Sequence, residues 1–117
     1  MKHRYLCHIA LIVMALLSAA CSTVYEGKYA RDDGWRRGTI LEVAQSAGLT
    51  QPGWRDCRKG LPAESLAVGQ FATVEFFGSH RVSTITVAVQ EGTNFKRNDH
   101  VYVNIVDCKA ALESRLE

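Results

Sequence analysis

Four stretches of the chain alternate apolar and polar residues at period two, the spacing of a half-buried β-strand. Residues 37–43, RGTILEV, alternate loosely, with Thr39, Leu41 and Val43 on one side. Residues 70–77, QFATVEFF, put Ala72, Val74 and Phe76 on one face. Residues 81–90, RVSTITVAVQ, set Ile85, Val87 and Val89 against Thr84, Thr86 and Ala88. Residues 100–106, HVYVNIV, line up Val101, Val103 and Ile105. Gly78-Ser79-His80 parts the second stretch from the third. β-branched alternation on both sides of a glycine-bearing turn predicts a hairpin.

The remaining segments read as connections. Gly48 and Pro52-Gly53 mark a loop, and residues 54–60 are short and charged around Cys57. Residues 61–69 read as a connection or one helical turn, and Glu91-Gly92 and Asn98-Asp99 turn the chain again. Residues 109–116 predict a terminal helix, with Asp107 placed to cap it. Four or five mostly antiparallel strands with short helices imply a mainly β domain. So small a sheet must bury one face and blunt its edges, which barrel closure or sandwich packing does. The expected architecture is therefore a small half-open barrel of the SH3 or OB type, or a sandwich.

The front of the chain follows a different pattern. Lys2, His3 and Arg4 precede residues 6–17, which are apolar except for His8. Twelve residues of helix span about 18 Å, short of the roughly 30 Å hydrocarbon core. A basic start, a short apolar run and small residues describe an export signal. Ser18-Ala19-Ala20-Cys21 resembles the lipobox of bacterial lipoproteins, with Ser18 where Leu is commonest. The resemblance implies cleavage before Cys21 and a diacylglycerol on its sulfur. Ser22, rather than Asp, after that cysteine implies delivery to the outer membrane. A second resemblance rests on GTILEV, STITVAVQEGTNF and NDHVYV, which are similar to the β part of glycine-zipper outer-membrane lipoproteins. The glycine-rich repeat that associates with membranes in that family is missing here.

On this reading residues 1–20 are a signal peptide, 21–35 the lipidated cysteine and a polar tether, and 36–117 the β domain. Removing Lys2 and Arg4 from 14 basic residues leaves 12, against 12 acidic ones. The mature domain is then formally neutral, and no nucleic-acid partner is expected. Of the four cysteines, Cys7 falls in the signal and Cys21 is committed to lipid. Cys57 and Cys108 remain, and in an oxidising compartment they are expected to pair. Closing a loop of about 50 residues contributes roughly 4 kcal/mol in the chain-entropy model.

No catalytic constellation, metal site or cofactor is expected. Cys57, His80, His100 and Cys108 are the right residue types for zinc, but no two are close enough in sequence to start a site. Each cysteine has a partner, so neither reads as an activated thiol. Asp32-Asp33-Gly34 lacks the alternating oxygens of a calcium loop, and the other acids are scattered. Arg36-Arg37, Arg55 with Arg58-Lys59, and Lys96-Arg97 read as charge on solvated loops and strands. Phe71, Phe77 and Tyr102 fall opposite the aliphatic stripes and form a possible contact face if the sheet buries only one side. The expected function is that of a non-catalytic outer-membrane lipoprotein, serving envelope structure or a protein contact. The alternatives are an accessory lipoprotein of a secretion or conjugation apparatus, and an inhibitor of a host hydrolase such as lysozyme.

Overall fold

In the computed structural model, which describes residues 22–116, all four alternating stretches become strands of one sheet. In chain order the strands are β1 (Val24–Tyr25), β2 (Tyr29–Ala30), β3 (Trp35–Gln45), β4 (Arg55–Asp56), β5 (Gln70–Phe77), β6 (Val82–Val89), β7 (His100–Asn104) and β8 (Glu113–Ser114). One short helix, α1 (Ala63–Val68), precedes β5. The main sheet runs β4-β6-β5-β3-β7-β8, and β1 and β2 form a separate hairpin. Every pairing is antiparallel except the short β4–β6 contact. The predicted hairpin is β5–β6, from Gln70 opposite Val89 to Phe77 opposite Val82.

One strand organises the sheet. The first half of β3 pairs with β7 and its second half with β5, and the two pairings overlap at Gly38 and Thr39. A Cβ at Gly38 would collide with Val74 of β5, and Val103 of β7 closes from the other side. Glycine lets both neighbours pack over the crossing. Beyond it the register slips between Ile40 and Glu42, leaving Leu41 as the extra residue of a bulge. The inward stripe of β3 is therefore Gly38, Ile40 and Val43, not the expected Thr39, Leu41 and Val43. A bulge adds one residue and so inverts the alternation beyond it. Ile40 is fully buried and joins Ala72, Val74, Ile85, Val87, Val101 and Val103 in the core.

The expected C-terminal helix does not form. Asp107 accepts Lys109 N–H on its side chain and Ala110 N–H on its carbonyl, which closes a turn. Leu112 then enters the core and Glu113–Ser114 pairs with β7. Covering the free edge of β7 and burying a leucine outweigh a two-turn solvated helix, which is marginal by itself.

The sheet does not close by a hydrogen-bond ladder. Its two ends are joined instead by the Cys57–Cys108 disulfide, one cysteine following β4 and the other following β7. Beside it, Arg55 of β4 donates to the carbonyls of Ile105 and Val106, the latter at 2.9 Å. The result is a half-open β domain with a covalent clasp across its seam.

Candidate functional site: the outer face of the sheet

The three residues expected to form a contact face do not share one environment. Phe71 is 2% exposed and Tyr102 fully buried, whereas Phe77 is 63% exposed. The condition for a shared contact face, a sheet that buries only one side, is not met at Phe71 and Tyr102, because the outer face is covered twice. Over β5 and β6, the loop before β4 is pinned down: Thr73 Oγ1 donates to Gln51 O at 2.7 Å, and Gly53 N–H to Thr86 Oγ1 at 2.7 Å. Gly69, leading out of α1, lies against the Phe71 ring. Over β7, the β1–β2 hairpin lays Tyr25 and Tyr29 on Tyr102, with ring centroids 5.5 and 4.8 Å apart. Trp35 packs against Tyr29 at 4.9 Å. Burial, with Glu113 and Glu26 nearby, pushes the Tyr29 phenol up.

Of the stretch expected to act as a tether, residues 24–30 are thus folded onto the domain. Glu26 and Gly27, both at positive φ, turn the hairpin, and Arg31 N–H donates to Thr23 O at 2.9 Å to extend its ladder. Cys21 and the leader lie outside the described residues.

What the two covers leave open is a row running across the strands. Arg37 is the register partner of Tyr102, and its guanidinium sits 5.0 Å from the centroid of the Tyr25 ring. Gly38 pairs with Phe76, so one step along brings Arg37 beside Phe77, which in turn pairs with Val82. Register partners share a face, so Phe77 and Val82 both point outward. Trp54 completes the row: its N–H donates to Thr84 Oγ1 at 3.0 Å, and its side chain is 86% exposed. Under Trp54 a cavity of about 220 Å³ opens at the seam, lined by Arg55, Phe76, Ile85 and Ile105. Sequence alternation identified Phe77 but not Trp54 or Val82. Trp54 sits in a charged loop without period, and Val82, although on the side of Thr84, Thr86 and Ala88, reads in composition like the core valines of the same strand.

Arg36, Arg55 and Arg58 of the basic clusters turn to separate partners. Arg36 turns to the carbonyls of Arg31 and Trp35, both at 2.8 Å. Arg55 spans the seam. Arg58 binds Asp56 through two nitrogens, at 2.7 and 3.0 Å, and reaches Ser46 O at 3.0 Å. The Arg58 hydrogen bond holds the Asp56 carboxyl below its usual range. Glu42 accepts Thr50 N–H and Oγ1–H, both at 2.6 Å, and these bonds lower its pKa. These charges brace loops. His80 lies exposed in the β5–β6 turn, and His100 Nδ1 is 3.0 Å from Arg115. Neither approaches the bonded Cys57 and Cys108 sulfurs as part of a ligand set, and among the described residues no group of three metal-binding side chains gathers. No protein-family model, curated protein or solved structure matches the chain.

Proposed function

We propose that this chain is an exported lipoprotein, cut before Cys21, lipidated there and held at the outer membrane. Its β domain acts without catalysis, in envelope structure or as a protein contact. The Cys57–Cys108 disulfide is the observation that carries this reading. Such a bond persists outside the reducing cytosol. With those two cysteines joined, the remaining ones are Cys7 in the leader and Cys21 at the lipobox-like site. Arg55, Arg58, Asp56, Asn104 and Glu42 spend their polar atoms on bracing loops and the seam, which suits a domain that works by its surface. A role as accessory to a secretion or conjugation apparatus draws on one further observation, the exposed row of Phe77, Val82 and Trp54.

Globomycin, which blocks the lipoprotein signal peptidase, tests the anchor. Treated cells are expected to accumulate the full-length diacylated precursor, and Cys21→Ala to abolish lipid labelling. Continued appearance of the mature form under the drug would rule the anchor out.

A further inference from the structure

We infer that the row of Phe77, Val82 and Trp54 rests on the headgroup layer of the bilayer that holds Cys21, so that the domain lies on the membrane instead of hanging from a tether. The inference builds on the lipid anchor proposed above and adds an orientation to it.

Chain length carries the first part. Thr23 is already fixed by its bond from Arg31, so Ser22 alone separates the fixed chain from the lipidated position. Two residue steps reach at most about 7 Å. A domain so closely held cannot turn every face to the bilayer. The hairpin that receives the anchor is seated on Tyr102, and from Tyr102 the outward row runs through Arg37 and Phe77 to Val82. Adjacent strands lie about 4.8 Å apart, which makes the row about 14 Å long from Tyr102 to Val82. The row therefore starts where the anchor attaches and extends sideways within one lipid's width or two of it.

Chemistry carries the second part. The row offers an indole, a phenyl ring and a valine, all exposed, flanked by Arg37, which lies over the Tyr25 ring, and by the exposed Arg81. Aromatic rings settle at headgroup level, and arginine keeps its charge among phosphates while its stem lies along apolar surface. Val24, exposed on the hairpin next to the anchor, continues the apolar contact. Glu26 in the hairpin, Glu113 opposite Tyr102 and Glu75, two residues from Phe77 on the same face of β5, are carboxylates near this face. They keep the contact shallow, because an ionised carboxylate does not enter hydrocarbon.

Bromine-labelled lipid tests the orientation. The mature lipoprotein, purified from membranes, is weighed intact and reconstituted into phosphatidylethanolamine–phosphatidylglycerol vesicles, with bromines high on the acyl chains. The chain has two tryptophans, and Trp35 is packed against Tyr29. The expected result is quenched emission in the wild type and loss of that quenching in Trp54→Phe, a change at an exposed site that keeps the disulfide. If the mass shows the lipid and the protein floats with vesicles, yet Trp54 stays unquenched, the anchor stands and the orientation is overturned. If Trp54 is unquenched and also shielded from acrylamide by a co-purifying protein, the row is a protein-docking surface and not a bilayer contact. A Cys21 without lipid removes the anchor, and the orientation with it.

Discussion

Gly38 shows how much of this fold turns on one missing side chain. Two strands meet over it, and any Cβ would be driven into Val74 while lying 3.1 Å from the carbonyl of Glu75. Gly38→Ala is therefore expected to destabilise the domain by about 2 kcal/mol, the scale of overpacking in a tight core. Urea unfolding checks this, and an unchanged midpoint would mean that β3 does not carry both neighbours as described. Asp56 makes a prediction of a different kind. Its folded pKa is lowered from the ordinary 3.8, chiefly by the Arg58 hydrogen bond. The stability it contributes is thus fully present above that ordinary value and is lost as pH falls through the lowered one. Asp56→Asn is expected to cost about 1 kcal/mol at neutral pH and progressively less as pH falls below that ordinary value. A gap between wild type and variant that persists in acid would point to packing and not to charge. At this scale sequence and structure parted at Leu41. Alternation alone counts residues as though every one were paired, and an unpaired residue in a bulge leaves no compositional mark.

The elements that sequence revealed best are those with a repeated choice. β5 and β6 each state their inward face three times, and the observed pairing keeps both faces as read, with Ala72 opposite Val87 and Val74 opposite Ile85. The elements it missed are those with two residues. β1, β2 and β8 are too short for periodicity, and their stability comes from what they cover. The hairpin covers Tyr102, and β8 covers the edge of β7, so neither is visible until the sheet exists. The same reasoning explains the contact face. Phe71 and Tyr102 were correctly placed on the outer side, but the loop at residues 51–53 and the β1–β2 hairpin that cover this face are remote from them in sequence. The seam was legible as chemistry, because pairing Cys57 with Cys108 needed only counting. That the bond would clasp the two ends of an open sheet was not. Replacing both cysteines by alanine is expected to lower stability by about 3–4 kcal/mol, since 51 residues of separation are no longer constrained in the unfolded chain. Thermal unfolding of the double variant measures it. A loss under about 1 kcal/mol would show that Arg55 and the ladder hold the seam without the clasp.

For the whole molecule, the proposed anchor, the disulfide and the position of the hairpin form one chain of consequence. On the proposed reading, export places Cys57 and Cys108 where they oxidise, and lipid on Cys21 brings the domain to a surface. The hairpin, fixed from Thr23 onward, would then decide which side faces that surface. A neutral mature domain gains little long-range attraction to anionic lipid, so its placement depends on the anchor and on the exposed row. Intact mass of the membrane-extracted protein, taken without reductant, is the most direct test of the export and anchoring on which this depends. The account predicts a chain beginning at Cys21, heavier by its lipid and two hydrogens short across Cys57 and Cys108. An unprocessed chain beginning at Met1, with Cys21, Cys57 and Cys108 all open to alkylation, would contradict it.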